Sequence, residues 1–571
     1  MNHENMESQS TMEEGKCPQE ELRKDKAELI EKYKENPMDL IELFVKIKKN
    51  TNLQEQDLKN LEQKIVSVIK SIDDQREDDG KIRLFGDRDN LSIETILEKY
   101  IIEDTVIASN RLSVNIHYDG SELRSSPGGG GLITGLKPVL AGNNVNWVGW
   151  PGPVTTQNLG EEFIENYLQN LPFDGIKLGG VLLSEEELNE FYLTSSNKYL
   201  WMLMHQPLPG FENYSVETED LEKAWNTYQT VNEKFVDQIN NRKGRRAWIH
   251  DYQLMLVPDQ LRKSGYQKPI GYFHHIPFPP VGELTTDDKV KYNKQFIEGI
   301  LGADLIGFHT ETYRKNFFDS VQFFFSDVEI SNNIIKLDNR EIEVGVFPIG
   351  VDPEQFSSEG FEERSKEIRE ELGKENILMC AGRLDPIKNF PGTLAGYYEF
   401  LKNNPDKASD TGLILSCVPS RTEIDIYQEE YQKVNRWINQ INEKFPASIK
   451  YFSGIPQEEI PAYYLASNVH LNTSKRDGYL LMVDEAALAA DINNPSVLIV
   501  GENVGAAEYL GDSVLVVDSN NALAIGNAIN EALSMDPDLK KQKLRQLQRQ
   551  AREKNARKWA NDFLYRLEQL K

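Results

Sequence analysis

From Thr105 onward the chain alternates short apolar runs with amphipathic helical stretches, and few folds other than parallel sheets flanked by helices satisfy that alternation. Strand-like runs occur at Val106–Ala108, Ala247–His250, Ile270–Phe273 and Leu305–Phe308. A second series, including Ile377–Cys380, Leu413–Cys417, Val469–Asn472 and Val497–Val500, follows the segment Val346-Phe347-Pro348-Ile349-Gly350-Val351-Asp352-Pro353. The Pro and Gly content of that segment fits a crossing between two domains. The expected organisation is therefore α/β, with Rossmann-like domains over 105–350 and 351–552. A final helix over 553–571 presents Trp559, Phe563, Leu567 and Leu570 on one face, which suits packing back on the first domain.

Residues 1–104 read differently. A polar tail runs to about residue 16, and helical spacing then links Leu40, Leu43, Phe44 and Ile47, and again Leu58, Leu61, Ile65, Val68, Ile69 and Ile72. Gly80 and Gly86 punctuate the pattern before a further helix around Ser92–Tyr100. This segment is expected to be a helical appendage, with homo-oligomerisation through its apolar faces as one use.

With 571 residues and 39% hydrophobic content the chain is long enough for two full cores. A formal charge of −27 argues against nucleic acid or an anionic membrane as partner. No apolar run approaches the roughly 20 residues of a membrane helix, and the polar, acidic start is unlike a signal peptide, so a cytoplasmic location is expected. Of the three cysteines, Cys17, Cys380 and Cys417, two lie in apolar strand-like runs, which points to buried free thiols.

Chemistry gathers where the runs end. Ile377–Cys380 delivers Arg383 and, five residues on, Lys388 into one loop, an arrangement suited to neutralising a departing diphosphate. About ninety residues later Lys475-Arg476-Asp477-Gly478 opens another helix, ahead of Glu485; free N–H groups there suit phosphate or sugar oxygens. The run Ser125-Ser126-Pro127-Gly128-Gly129-Gly130-Gly131-Leu132 is either a linker or a loop that lets backbone approach a ligand. Its place after Val106–Ala108 and Asn110-Arg111 favours the second reading, because ligands collect outside the carboxyl ends of parallel strands. Two more runs end in Trp248-Ile249-His250-Asp251-Tyr252-Gln253 and Phe273-His274-His275-Ile276-Pro277. The adjacent histidines point to opposite sides of an extended segment, and no carboxylate or cysteine completes a metal site. His275 suits hydrogen bonding to hydroxyls or a structural role.

Over residues 105–571 these motifs arrive in one order. Ser109-Asn110-Arg111, Gly130-Gly131-Leu132, Trp147-Val148-Gly149-Trp150-Pro151-Gly152, Tyr192 with Trp201, and His250-Asp251-Tyr252 come first. His275-Ile276-Pro277-Phe278-Pro279, Phe347-Pro348-Ile349-Gly350, Arg383-Leu384-Asp385 with Lys388, Val418-Pro419-Ser420-Arg421, Arg476-Asp477-Gly478 and Gly505-Ala506-Ala507 follow. Each is weak alone; the ordered set resembles the trehalose-6-phosphate synthases and their glucosylglycerol-phosphate synthase relatives, retaining glycosyltransferases of the two-domain GT-B architecture.

The resemblance implies that Arg383 and Lys388 hold the diphosphate of a nucleotide-glucose donor, with UDP-glucose as co-substrate, and Glu485 the ribose hydroxyls. It assigns hydroxyls of the transferred glucose to Asp477 and His275, the loop over the donor to Gly130 and Gly131, and further donor contacts to Gly478 and Leu481. Arg111, Tyr192, Trp201 and Arg421 would clamp the acceptor's phosphate, with Asp251 lining the acceptor sugar. Two guanidiniums, a phenol and an indole are independently suited to a sugar phosphomonoester. Such enzymes use no metal and no protein nucleophile. The chain departs from the trehalose branch at Gln253, where histidine is usual, and at His274, where an apolar residue is usual; both bear on the acceptor. Pro386, Asn389 and Tyr479 depart from it in the donor loops. Glucose 6-phosphate is the expected acceptor, with glycerol 3-phosphate, or a catalytically silent sugar-phosphate sensor, as the alternatives.

Overall fold

The computed structural model describes residues 24–34, 55–78 and 101–570 apart from 119–121, 153–159, 174, 212–215 and 286–288, together with Leu22, Pro37, Leu40, Ile41, Leu43, Phe44, Ile47 and Ile96. Cys17, Gly80, Gly86 and most of the helix expected around Ser92–Tyr100 lie outside the described residues. Two compact units emerge. One comprises Met1–Glu103 with Gly142–Asn144 and Asp174–Ile176; the other holds the remainder, through Lys571.

In the first unit, helix Lys26–Tyr33 begins at Asp25, whose carboxylate accepts from the Glu28 N–H and satisfies one of the helix's otherwise unpaired donors. It packs on helix Glu55–Asp78, where Ile65, Val68, Ile69 and Ile72 form a buried stripe at three- and four-residue spacing. Lys64 Nζ donates to the carbonyls of Leu22 and Lys24, tying the chain start to the long helix.

The second unit contains two large sheets. The first is built from β1 (Thr105–Arg111), β4 (Val145–Trp150), β5 (Ile176–Gly180), β6 (Arg246–His250), β7 (Ile270–Phe273), β8 (Leu305–Phe308), β9 (Glu329–Ser331), β10 (Ile334–Leu337) and β11 (Arg340–Val346). Its order is β5-β4-β1-β6-β7-β8-β11-β10-β9, and a separate hairpin pairs β2 (Val114–Tyr118) with β3 (Leu123–Pro127). The second sheet has the order β14-β13-β12-β15-β16-β17, where β12 is Asn376–Arg383, β13 Thr411–Val418, β14 Ile449–Phe452, β15 Val469–Asn472, β16 Val497–Gly501 and β17 Leu515–Val517. All its pairings are parallel. The parallel strands of each sheet change direction once, beside β1 in the first and between β12 and β15 in the second, and such switch points open a crevice at the carboxyl ends of the strands.

Three features escape the sequence reading. The hairpin β2–β3 stands between β1 and the glycine loop, so Ser125 and Ser126 belong to a strand rather than to that loop. The antiparallel extension β9–β11 turns at Asn332-Asn333 and Asp338-Asn339, all four with positive φ. Such Asx pairs between short alternating runs signal tight hairpins and were legible. A π-helix over Leu188–Leu200 carries Tyr192, whose ring packs on Trp150.

The C-terminal helix Ala556–Glu568, capped by Asn555, lays Trp559 and Phe563 against the first sheet. Trp248 lies 5.0 Å from Trp559 and stacks on Phe563 at 5.3 Å between centroids. Burying such a side chain is worth roughly 1.5–3 kcal/mol. Leu570 is only half-buried, outside that face. Gly350 lets the outgoing and returning chains meet, since a Cβ there would sit 1.6 Å from the Lys554 carbonyl oxygen. Among the described residues no helix is long and apolar enough to cross a membrane.

Candidate active site

A cavity of about 720 Å³ lies where the carboxyl ends of β1, β6 and β7 face those of β12, β13 and β15. Each strand contributes the polar residue that follows its apolar run: Arg111, Asp251, His275, Arg383, Arg421 and Asp477 all line it. Lys388, Tyr192, Trp201, Gln253, Glu485, Leu481, Gly130 and Gly131 complete the predicted set that the fold brings together.

On one side, β12 ends at Arg383, whose side chain is exposed to the cavity. The chain then makes a short 3-10 turn, Pro386–Lys388, that aims Lys388 at Asp477 with Nζ 2.5 Å from Oδ2. Helix Met482–Ala489 starts beside them and carries Glu485, whose Oε2 accepts from the Tyr464 hydroxyl at 3.1 Å. Burial pushes the Glu485 carboxyl up to about 7, against the opposing effects of Tyr464 and Lys388. Across the cavity Gly130, at φ 135, precedes helix Gly131–Leu140, and a Cβ on Gly131 would meet the Leu481 side chain at 3.6 Å.

The other side is a cage of cations on aromatic faces. The Arg111 guanidinium lies 4.3 Å over the Trp150 ring and donates to Asn115 Oδ1, while Tyr192 packs 5.4 Å from Trp150. Arg421, held at φ 48, lies 4.4 Å over Trp201, and the Trp201 indole N–H is buried without a protein partner. Such stacking orients a guanidinium while leaving N–H groups for an anion.

Between the two sides, Asp251 sits at φ 75 and accepts from the His275 backbone N–H at 3.2 Å. Burial raises its carboxyl to about 7, opposed by those backbone N–H groups and by Arg383 and Arg421. His275 shares a 3.0 Å hydrogen bond between its Nε2 and His250 Nδ1.

Two predicted positions are placed elsewhere. His274 is fully buried behind the wall, its Nδ1 3.1 Å from the Tyr272 hydroxyl and its Nε2 3.3 Å from the Pro277 carbonyl. Direct contact with an acceptor is therefore not its geometry; in the segment that follows β7, His275 lines the cavity and His274 does not. Gly478 does not line the cavity, and the need for glycine is steric, because a Cβ would lie 2.0 Å from the His275 carbonyl oxygen. The sequence reading missed His309, which also lines the cavity one residue after β8. Its signal was the one used for Asp251, a polar residue ending an apolar run. Cys380 and Cys417 are buried free thiols, and among the described residues no group of three or more His, Cys, Asp or Glu could hold a metal ion.

Six buried imidazoles give the unit a marked acid sensitivity. Burial lowers His205 and His309 to about 4, His250, His274 and His470 to about 3, and His275 well below its ordinary value. Each stays neutral when folded but takes a proton in the unfolded chain below about pH 6.5, so stability falls as pH drops, by up to about 1.4 kcal/mol per pH unit per group. Asp251, Asp484 and Glu485, raised to about 7, act in the opposite direction between about pH 4 and 7. Six groups outweigh three. Thermal melting should drop steeply from pH 6.5 to pH 5, and an unchanged melting temperature over that range would contradict the buried, neutral histidines.

Two facing Rossmann-like sheets with a diphosphate-suited cation pair on one side of the cleft and an anion cage on the other define a GT-B glycosyltransferase. The sequence comparisons agree: the model of glycosyltransferase family 20 matches residues 103–569. The chain belongs to glycosyltransferase family 20. It is 34% identical over 482 residues to a bifunctional trehalose-6-phosphate synthase/phosphatase of Thermoproteus tenax, covering 81% of this chain but 63% of that protein. It is 32% identical over 488 residues to a trehalose-6-phosphate synthase of Mycolicibacterium vanbaalenii, covering 81% of this chain and 95% of the relative. Among solved structures, the E. coli protein bound with UDP-2-fluoro glucose superposes with a TM-score of 0.72 at 25% identity, covering 81% of this chain and 99% of that one. A Burkholderia xenovorans synthase in complex with glucose-6-phosphate shares the fold at a TM-score of 0.71 and 23% identity, covering 81% of this chain and all of that one.

Proposed function

We propose that the protein transfers glucose, with retention, from UDP-glucose to glucose 6-phosphate, forming trehalose 6-phosphate. The observation that carries this reading is the pairing, in one cavity, of Arg383 and Lys388 with the Arg111, Tyr192, Trp201 and Arg421 cage. In this mechanism Arg383, Lys388 and the amides at the start of helix Met482–Ala489 bind the diphosphate and stabilise the charge that grows as the glycosidic bond breaks. Asp477 and His275 orient the hydroxyls of the glucose being transferred. Glu485 takes the ribose, and the Gly130-Gly131 loop covers the donor opposite Leu481.

The cage holds the acceptor's phosphate and Asp251 its sugar, so that the attacking hydroxyl meets the anomeric carbon on the face the diphosphate is leaving. The departing phosphate oxygen accepts the hydroxyl proton, and no protein base is required. Both relatives named above are called trehalose-6-phosphate synthases, one of them a bifunctional synthase/phosphatase. Glycerol 3-phosphate drew its support from the paired histidines, and with His274 turned away from the cavity that support is reduced to Gln253. Incubating the protein with UDP-glucose and either glucose 6-phosphate or glycerol 3-phosphate tests the choice. UDP release with α,α-linked trehalose 6-phosphate as product is expected; release only with glycerol 3-phosphate, or with neither, overturns it.

Among the described residues, none of 1–104 lines the cavity, and we assign that segment to regulation or self-association. A chain shortened to begin near Glu103 should fold and keep transferase activity, with any change confined to oligomeric state or effector response. A monodisperse but inactive truncated protein would place the helical segment in the active machinery.

A further inference from the structure

The carboxylate of Asp385 is wholly buried and belongs to neither group of cavity-lining side chains, yet it touches both. Oδ1 accepts from the Ile387 N–H at 3.3 Å, capping the Pro386–Lys388 turn, and the Asp385 carbonyl accepts from the Lys388 N–H at 2.9 Å. That turn decides where Lys388 points. Oδ2 faces the other way and accepts from Arg421 Nη1 at 3.0 Å and from the Tyr427 hydroxyl at 3.3 Å. Tyr427 also contacts Arg421 Nη1, so two groups hold one edge of the guanidinium and Trp201 holds its face. Arg421 Nε is buried with no protein partner, and the residue lines the cavity. One oxygen of a rigid, buried carboxylate thus sets the donor-side lysine while the other sets the acceptor-side arginine.

We propose that Asp385 is a positioning residue that couples the two substrate sites, so that filling the donor site improves the fit of the acceptor's phosphate. The proposal rests on the donor and acceptor assignments above. When a diphosphate draws Lys388 and its turn into place, Oδ1 follows the Ile387 amide, and Oδ2 carries Arg421 with it. Coupling of this kind is reciprocal, so glucose 6-phosphate must tighten UDP by the same factor. A carboxylate that only stabilised the fold would lower both affinities without linking them.

The test is calorimetric titration of the full chain with glucose 6-phosphate, in the presence and absence of saturating UDP, and the reverse. The parental protein should show tightening of about fivefold or more in both directions. In Asp385→Asn the factor should fall to about one while UDP alone binds within about threefold of the parental affinity. Retention of the coupling in that variant overturns the proposal, as does a loss of UDP affinity equal to the loss for the acceptor. Should Asp385→Asn fail to fold, Tyr427→Phe decides: it keeps the carboxylate but loosens Arg421, and must reduce the coupling at least about twofold. Binding of both probes without coupling in the parental protein overturns the coupling alone. Binding of neither overturns the proposed function and the coupling with it.

Discussion

Arg383→Ala or Lys388→Ala should lower kcat by on the order of a hundredfold or more, since each removes a positive charge that we place against the departing diphosphate. The two variants should differ in their side effects. Arg383 has an exposed side chain, and its loss should leave melting nearly unchanged. Lys388 is paired with Asp477, and both side chains are about 15% exposed, so its removal strands a mostly buried carboxylate and should also lower the melting temperature. Turnover at saturating UDP-glucose, with thermal melting on the same samples, checks both statements. Near-parental turnover in either variant would mean that the donor diphosphate binds elsewhere.

The second large effect concerns the acceptor. Two guanidiniums, Arg111 and Arg421, line the cavity where we place the phosphate, and a hydrogen bond between charged groups is worth roughly 1.5–3 kcal/mol. Plain glucose should therefore be a poorer acceptor than glucose 6-phosphate by roughly 10²–10⁴ in kcat/KM. Arg111→Ala and Arg421→Ala should lose most of that preference, because what they remove is recognition of the phosphate rather than of the sugar ring. Equal rates with glucose and glucose 6-phosphate in the parental protein would point to an unphosphorylated or polymeric acceptor.

Most of the site is legible in the chain because its residues obey a local rule. An apolar run that crosses a buried sheet must end in polar residues where it emerges, and Arg111, Asp251, His275, Arg383 and His309 all stand at such ends. Arg383 and Lys388 share one loop, so their cooperation is visible without knowledge of the fold. The hairpin turns at Asn332-Asn333 and Asp338-Asn339 were equally local, and were missed only because the runs around them are short.

The sequence by itself determined the alternating α/β architecture and the type of residue at each strand end, because periodicity and turn residues act over a few positions. Tertiary structure alone decided which of those ends meet. β12 and β15 are neighbours although two strands and four α-helices separate them in the chain, and that adjacency sets Lys388 against Asp477. It also decided which of two adjacent histidines faces the cavity and why residue 478 must be glycine. The double use of Asp385 belongs to the same class, since its two oxygens serve groups 2 and 36 positions away and no local pattern records a bond to Arg421. Side-chain direction and sheet order are properties of the packed whole, and they turn a list of strand ends into a site.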